Sequence, residues 1–269
     1  MLFKIIPALI IILFYQFNLT GIRSNPPADE TQIIIIGTVH VPTYNYDSDT
    51  LLSILNKINP NVILVECDTS YMTGDFQLKE DIKYSFPETQ AITEYLQTKQ
   101  AELRPYDIPG RDIFLNDVER KMYERSFLRD VEFLSMKNKL NNNAIGILNK
   151  ILAMMDISRE MANAKSTYIN SPEGSRKIDS INYYTYAGFG NLINSVPELL
   201  RYRSYWANEN NYWENRNNIM LENIFQFAKY FEGKKIVVLC GFAHKNLLKN
   251  GLLKKAGNEN LMVKEFMEF

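Results

Sequence analysis

Residues 31–40 read TQIIIIGTVH, and this stretch decides the expected architecture. Four consecutive isoleucines at residues 33–36, bounded by polar residues, are typical of a strand that is buried on both faces of a parallel sheet. Gly37 follows the isoleucine run, and His40 follows three residues later. The sequence therefore predicts a central strand with an ionisable side chain just past its carboxyl end.

A helix and a second strand follow the isoleucine run. Ser48 or Asp49 is available as the helix N-cap, and Asn59-Pro60 supplies a stop. The apolar positions recur at helical spacing and are Leu51, Ile54, Leu55 and Ile58. Residues 62–65 (VILV) then indicate another buried strand. Strand, helix and strand of these lengths make a βαβ unit, whose crossover is almost always right-handed.

Three more strands complete the expected sheet. A third strand is predicted around residues 103–108, a buried strand at residues 236–240 and a short closing strand near residues 261–266, with a helix between the last two. The predicted fold is therefore α/β, with a mostly parallel central sheet. A large helical insertion, at about residues 111–232, interrupts a single domain that spans residues 31–269.

Two apolar stripes at helical spacing support the insertion. The second stripe lies on a helix that is expected to start near Tyr205. The stripes, which we interpret as core, comprise Leu148, Ile151, Leu152, Met155, Met220, Ile224, Phe227, Ala228 and Phe231. Residues 170–184 lie between the stripes and contain Pro172, Gly174 and several serines, so we predict a loop there that could overhang a site.

Composition and charge exclude several classes of protein. The chain has 30 basic and 31 acidic residues and a formal charge of -1, whereas nucleic-acid binding normally requires a basic face. Two cysteines are too few for a disulfide scaffold, and they form no CxxC motif. We interpret Cys67 and Cys240 as buried free thiols, with a disulfide between them as the alternative. The fold must therefore depend on an ordinary apolar core.

The first residues of the chain are a separate segment. Lys4 precedes an apolar stretch at residues 5–17, which is short for a membrane-spanning helix and fits the hydrophobic core of a secretory signal. Residues 18–21 (NLTG) do not resemble an A-x-A cleavage site, so a retained signal anchor is the alternative. We predict a signal peptide or short anchor at residues 1–23, a linker at residues 24–30 and an exported protein, which contacts a membrane only through the N-terminal segment if that segment is uncleaved.

The two histidines of the chain share one local pattern. His40 and His244 each close a Gly-x-x-His sequence just past a predicted strand, and these sequences begin at Gly37 and Gly241. Glu66 directly follows the second strand. Ligands of a parallel sheet bind beyond the carboxyl ends of its strands, and glycine lets the chain turn sharply there or lets a substrate approach. We therefore expect two imidazoles and one carboxylate to converge at this edge.

Each of these features has a purely structural alternative. A histidine near a strand end is more often a hydrogen-bonded structural residue, and Glu66 could instead cap a turn or pair with a basic residue. The repeated Gly-x-x-His pattern favours a shared functional site. Residues 104–111 are interpreted as a structural turn, with Asp107 or Arg111 lining the crevice as the alternative. An aromatic group is interpreted as packing, with substrate stacking as the alternative, and comprises Tyr202, Tyr205, Trp206, Tyr212 and Trp213.

The same landmarks resemble the TraB/GumN family, which includes the Tiki-like proteins. They are Ile-Gly-Thr-Val-His ending at His40, Val-Glu ending at Glu66, and Gly-Phe-Ala-His-x-x-x-Leu beginning at Gly241. Asn215-Arg216-Asn217 followed by Met220 is similar to the family's Arg-Asn helix start. The resemblance spans nearly the whole chain after Thr31. It implies the α/β sheet with a helical insertion that Tiki proteins share with erythromycin-esterase-like and ChaN-like proteins.

The resemblance implies a hydrolase of a peptide or a small-molecule ester, and we expect the first of two mechanisms, a metal-dependent one, with the second as the alternative. In the first, His40, Glu66 and His244 hold a divalent cation (Mn, Co or Zn) that activates water and polarises the scissile carbonyl. In the second, no metal is needed. One histidine is then the general base, Glu66 orients the water or shares its proton, and Arg216, on the opening turn of a helix, stabilises the oxyanion. We expect substrate contacts from Gly37, Gly241 and Asn217.

A non-catalytic alternative also follows from the resemblance. ChaN-like relatives suggest an exported protein that captures metal or haem through the paired histidines without turnover. This alternative predicts a coloured or metal-loaded protein. The hydrolase predicts that Glu66→Gln folds normally but loses activity.

Overall fold

Five parallel strands form the sheet of the computed structural model, which describes residues 30–257 and 260–269. They are β1 (Thr31–Thr38), β2 (Val62–Val65), β3 (Glu102–Pro105), β4 (Lys235–Gly241) and β5 (Leu261–Glu265). Their order across the sheet is β3-β2-β4-β1-β5, and each neighbouring pair is parallel. The predicted α/β fold with a mostly parallel sheet is confirmed.

Helices make up most of the remaining structure. The α-helices of the described residues are α1 (Ser48–Ile58), α2 (Pro87–Thr98), α3 (Arg111–Asn116), α4 (Val118–Met136), α5 (Asn142–Ala162), α6 (Ser166–Ile169), α7 (Pro172–Tyr183), α8 (Phe189–Ser195), α9 (Arg203–Tyr230) and α10 (Phe242–Ala256). A π-helical turn, Tyr184–Gly188, joins α7 to α8, and a 3-10 segment, Pro197–Tyr202, precedes α9. The structure has only helices and turns between β3 and β4, so the predicted helical insertion is present as α3 to α9.

The isoleucine run of β1 is buried because both faces of the sheet carry helices. Successive side chains of a strand point to opposite faces. Ile34 and Ile36 pack with α1 and α2, whereas Ile33 and Ile35 pack with α9 and α10. All four side chains are at most 1% exposed. This burial on both faces explains why the run lacks the polar alternation of a half-exposed strand.

The strand boundaries differ from the predicted ones where a neighbouring strand decides them. β1 extends the isoleucine run by two residues at each end, because its ladder with β4 continues to Thr38. β3 ends at Pro105, three residues before the predicted end. The reason is that β2 ends at Val65, where the chain turns and the Cys67 N–H donates to the Val65 carbonyl at 2.8 Å.

The predicted N-cap of the first helix is wrong by one residue. The cap is Asp47, whose side chain accepts a hydrogen bond from the Thr50 N–H at 2.8 Å, so Ser48 and Asp49 already lie inside α1. The predicted stop is correct, since Asn59 adopts a left-handed conformation (φ 51°) and closes the helix. An aspartate cap and an asparagine C-cap are both common choices at these positions.

The loop predicted at residues 170–184 is wrong, because the segment is largely the helix α7. Ser171 caps this helix by accepting a hydrogen bond from the Gly174 N–H at 3.0 Å, and Pro172 occupies its first position. A Cβ on Gly174 would lie 2.2 Å from the Tyr168 carbonyl oxygen. The serine, proline and glycine therefore start a helix and permit a close backbone contact instead of making a loop.

The two predicted helical stripes fare differently. On α9, the members Met220 and Ile224 are fully buried, as predicted. On α5, Leu152 and Met155 are 50% and 42% exposed, so their assignment to the core is wrong. α9 begins at Arg203, and Arg216 consequently lies in the middle of the helix. The expectation that Arg216 lies on an opening turn is also wrong.

The predicted N-terminal segment lies mostly outside the described residues, and the two cysteines do not pair. The predicted signal peptide or anchor at residues 1–23 and nearly all of the linker at residues 24–30 lie outside the described residues. None of the helices in the described residues is both long and apolar enough to cross a membrane. Cys67 and Cys240 are buried free thiols, so the alternative of a disulfide between them is wrong.

Candidate active site

Three adjacent strands end at the same edge of the sheet and bring the predicted site together. β4 lies between β2 and β1, with Val65 opposite Leu239 and Thr38 opposite Gly241. Glu66 directly follows β2, and His40 lies two residues beyond β1. His244 lies in the first turn of α10, which starts directly after β4. The predicted convergence at the carboxyl edge of the sheet is therefore observed.

The carboxylate of Glu66 is the centre of this group. Its Oε1 lies 3.6 Å from Nε2 of His244 and 4.0 Å from Nε2 of His40. Oε1 also accepts a hydrogen bond from a terminal nitrogen of Arg216 at 2.5 Å, and Oε2 accepts one from the Gly241 N–H at 2.6 Å. Three of the four residues predicted to be catalytic, His40, His244 and Arg216, thus surround the carboxylate of the fourth.

Glu66 is held in its ionised form. Its side chain is only 4% exposed, and burial alone would raise the pKa of this carboxyl group. The neighbouring His244, His40 and Arg216 outweigh burial and lower the pKa to about 2. Glu66 is therefore a permanent negative charge at neutral pH.

Arg216 ties Glu66 to two further side chains. Its Nε and one terminal nitrogen donate to the two oxygens of Asp107, both at 2.8 Å, and its other terminal nitrogen contacts Nε2 of His244 at 2.8 Å. With the bond to Glu66, four hydrogen bonds engage four of the five N–H groups of the guanidinium. Burial would lower the pKa of Arg216, but the bonds to Asp107 and Glu66 raise it above its ordinary value.

His244 is a neutral, fixed part of the site. A guanidinium can only donate, so Nε2 of His244 accepts from Arg216, and its Nδ1–H donates to the side-chain oxygen of Asn217 at 2.7 Å. The imidazole also stacks on Trp213, with 4.3 Å between ring centroids. Burial, helped by the charge of Arg216, lowers the pKa of His244 to about 4. The imidazole therefore stays uncharged at neutral pH.

His40 occupies a different environment. Its side chain is 43% exposed, and Nδ1 lies 2.9 Å from Oε1 of Glu88, which is on the first turn of α2. Burial opposes protonation, but the hydrogen bond with Glu88 and the charge of Glu66 outweigh it and raise the pKa of His40 above 6.5. Nε2 remains free to exchange a proton on the side that faces Glu66.

The two predicted glycines allow close approaches inside the site. A Cβ on Gly241 would lie 2.7 Å from Nε2 of His40, so a larger residue would displace the imidazole. Gly37 exchanges hydrogen bonds with the side chain of Asn170, which accepts from its N–H at 2.7 Å and donates to its carbonyl at 3.0 Å. Asn217 likewise bonds His244. Of the three residues predicted to contact substrate, Gly241 and Asn217 therefore contact the site residues, whereas Gly37 bonds Asn170.

A cavity of about 150 Å³ opens beside His40 and Glu66. Glu88, Tyr71, Arg111 and Asp112 contribute to its polar lining, and the lining includes Val65, Leu239 and Phe86 on its apolar side. Arg216 and His244 lie behind Glu66 and are not among the described lining residues. A substrate in this cavity would meet His40 and Glu66 first.

The side chains as arranged do not fit a metal ion. Of the three predicted ligand atoms, Nε2 of His244 and Oε1 of Glu66 already receive hydrogen bonds from Arg216. A cation there would replace a guanidinium that also holds Asp107 through two bonds. Within residues 30–257 and 260–269, no group of three or more His, Cys, Asp or Glu side chains is placed to hold a metal ion.

Sequence reasoning missed Glu88 and gave Asp107 only as an alternative. Glu88 lies in the first turn of a helix, where an acidic residue is an ordinary choice. Its hydrogen bond to His40 joins residues that are 48 positions apart in the sequence, and no local sequence pattern indicates it. Asp107 belongs to a segment interpreted as a turn, and its partner Arg216 is 109 positions away. A search for buried charges of opposite sign in the fold would find both.

Comparisons with known proteins add no relative. Neither a family model, nor a curated protein, nor a solved structure matches the chain. The resemblance to the TraB/GumN family therefore stays a prediction from the sequence.

Proposed function

We propose that the protein is a hydrolase that activates water between His40 and Glu66, without a metal ion, and cleaves a carboxylic ester. The observation that carries the proposal is the placement of the His40 imidazole. Nδ1 is held 2.9 Å from Glu88, and Nε2 faces the ionised Glu66 across 4.0 Å at the wall of a cavity. A general base needs this arrangement, in which one nitrogen is fixed and the other is free.

The distance between His40 and Glu66 suits a bridging water molecule. A separation of 4.0 Å is too long for a direct hydrogen bond, whereas a water at about 2.8 Å from each atom spans it. Such a water donates one hydrogen to Nε2 of His40 and the other to Oε1 of Glu66. His40 is the base, because its pKa is nearer to neutrality than that of Glu66.

The proposed reaction is addition of water to the ester carbonyl, followed by loss of the alcohol. The water oxygen forms a bond to the ester carbonyl carbon while its proton moves to Nε2 of His40. The carbonyl electron pair moves to the oxygen and makes a tetrahedral oxyanion. When this intermediate collapses, the bond between the carbonyl carbon and the alkoxy oxygen breaks, and the proton on His40 passes to the departing alkoxide. The products are a carboxylic acid and an alcohol, and His40 is neutral again.

Arg216 and His244 support this chemistry through Glu66. Arg216 keeps Glu66 ionised and aligned, and the neutral His244 fixes the guanidinium from the other side. Arg216 is already paired with Glu66 and Asp107 and lies behind Glu66, so its role in this scheme is to position Glu66 and not to contact the oxyanion.

Two features of the site favour a small ester over the other predicted ligands. No cation polarises the carbonyl in this scheme, and an ester carbonyl is more electrophilic than a peptide carbonyl. The cavity of about 150 Å³ is also smaller than the roughly 300 Å³ at which pockets for drug-sized ligands begin, so it suits a small acyl group better than haem.

The test is hydrolysis of a panel of short-chain p-nitrophenyl esters by the full-length chain. His40→Asn keeps a donor for Glu88 but has no base, and Glu66→Gln loses the charge that orients the water. We expect either change to lower kcat/KM by roughly 10²- to 10⁴-fold while the far-ultraviolet circular dichroism stays unchanged. The exposed Glu132→Gln is the matched control and should retain full activity.

A chelator arm separates the two mechanisms. Wild-type protein that has been treated with a chelator should keep its esterase activity. Loss of activity that Mn, Co or Zn restores would instead support the metal-dependent form that the sequence predicts. Full activity in both folded variants would overturn the proposal for this site.

A further inference from the structure

The guanidinium of Arg111 faces the cavity beside His40 and has no hydrogen bond. Arg111 is the first residue of α3, and its side chain is 25% exposed. Among the described residues, none of its nitrogens has a hydrogen-bond partner, and its Nε is buried in that state. A buried or half-buried donor without a partner costs stability, so the residue needs an explanation.

Arg111 is the only charged residue of the cavity lining that makes no hydrogen bond within the described part of the chain. Glu66 accepts from Arg216 and Gly241, Glu88 is bonded to His40, and Asp112 accepts from the Tyr71 hydroxyl. Each of these three carboxylates therefore has a donor for at least one oxygen, although Oε2 of Glu88 is buried without one. Arg111 does not pair with that oxygen, so the cavity contains a cationic fork without an acceptor.

Asp107, the nearest carboxylate to Arg111, does not satisfy it. Oδ2 of Asp107 is 3.9 Å from Nε of Arg111, which is beyond hydrogen-bond distance. Both oxygens of Asp107 are taken by Arg216 at 2.8 Å. Asp107 thus positions Arg111 electrostatically while leaving its N–H groups available.

We propose that Arg111 binds a carboxylate of the ligand, so that the substrate class is a small ester that carries a free carboxylate near the scissile bond. A guanidinium presents parallel N–H groups that match the two oxygens of a carboxylate, and it keeps its charge at any physiological pH. His40 and Glu66 lie in the same cavity, so a bound acyl chain would extend from Arg111 toward the activated water. The carboxylate supplies the acceptor that Arg111 lacks.

This inference rests on the proposed hydrolase only in calling the ligand a substrate. The carboxylate-binding site does not depend on hydrolysis, and the experiment measures binding separately from hydrolysis. Isothermal titration calorimetry of the full-length chain measures butyrate and butyramide, which have the same shape and differ in charge. The titration is repeated in a His40→Asn background, in which no imidazole at this position can attract the anion. We expect butyrate to bind at least about tenfold more tightly than butyramide, the lower end for a charge-assisted hydrogen bond.

Variants assign the preference to Arg111. Arg111→Gln should abolish the preference for butyrate, and Arg111→Lys, which keeps the charge without the fork, should retain a reduced one. Arg159→Gln removes a charge from an exposed ion pair on α5 and should bind butyrate as the wild type does. Failure of the wild type to prefer butyrate, or an unchanged preference in folded Arg111→Gln, would overturn the proposal. Failure of hydrolysis alone would leave these binding results intact.

Discussion

His40 and His244 close the same four-residue pattern at neighbouring strand ends, yet their surroundings make them chemically different. His40 is 43% exposed at a cavity wall, and Glu88 helps to raise its pKa. His244 is 5% exposed, stacks on Trp213 and has a pKa lowered to about 4. One imidazole can exchange a proton near neutral pH, and the other cannot.

The Gly-x-x-His motif therefore places both imidazoles at the site, and the hydrogen-bond partners of each imidazole determine what it can do. Both histidines point Nε2 toward the same carboxylate oxygen of Glu66, at 4.0 and 3.6 Å. On the side of His244, Arg216 occupies the space and donates hydrogen bonds both to this Glu66 oxygen and to Nε2 of His244. The His40 side is left for a water and a substrate.

The largest effect is expected from removing the guanidinium on the His244 side. Arg216→Met leaves the buried carboxylates of Glu66 and Asp107 without their partner, which should lower the free energy of unfolding by about 3–5 kcal/mol. Urea unfolding monitored by circular dichroism measures the change. Arg159→Met, in an ion pair that is 71% exposed on both sides, should lower stability by less than about 1 kcal/mol. Equal effects of the two changes would contradict the buried cluster.

The same substitution at the two histidines should have unequal effects on stability. His244→Asn keeps a donor for Asn217 but leaves an N–H of Arg216 without an acceptor and removes the stack on Trp213. We expect it to cost about 1–3 kcal/mol of unfolding free energy. His40→Asn preserves the bond to Glu88 at a half-exposed position and should cost less than about 1 kcal/mol. Chemical unfolding of both variants checks the order, and a larger loss for His40→Asn would reverse our assignment.

Much of the sheet could be predicted because its signals are local. The buried run at residues 33–36 and the VILV run of β2 record burial on both faces in their own composition. The boundaries depend on neighbours, as the early end of β3 illustrates. α7 was missed because Ser171, Pro172 and Gly174 occur equally in turns and in helix starts.

The predicted site depended on topology more than on pattern. His40, Glu66 and His244 were expected to converge because parallel strands end at one edge, and they do. What each one does depends on Glu88 and on Asp107, partners that are distant in sequence. No local signal encodes contacts of this kind, since they join segments that are 48 and 109 positions apart in the sequence.

The pH dependence of stability should carry opposite signs for the two histidines. The pKa of His244 is about 4 in the folded protein and about 6.5 in the unfolded chain, so the unfolded chain binds more protons between these values. Stability from His244 is therefore lost as pH falls from 6.5 toward 4. The folded pKa of His40 is raised, so its contribution is present below 6.5 and is lost as pH rises through that pKa.

Urea unfolding of the wild type and both histidine variants between pH 5 and 6.5 separates the contributions of His244 and His40, because Glu66 stays ionised in the folded protein over this range. Wild-type stability should fall with decreasing pH by at most about 1.4 kcal/mol per pH unit from this group. His244→Asn should flatten that slope, whereas His40→Asn should steepen it slightly. An unchanged slope in His244→Asn would show that its imidazole does not stay neutral in the fold.

The smallest effect is expected from a change at Glu88, the hydrogen-bond partner of His40. Glu88→Gln removes the negative charge next to Nδ1, so the pKa of His40 should fall, whereas His244 should titrate as before. The chain has two histidines, and proton NMR of their imidazoles follows each one separately. Glu94→Gln, on the same helix but away from His40, is the control.

If His40 acts as the base, the lower limb of the pH profile of kcat/KM moves by the same amount and in the same direction. A shift of the NMR titration without a shift of the activity profile would leave His40 as a titrating neighbour and assign the base to another group.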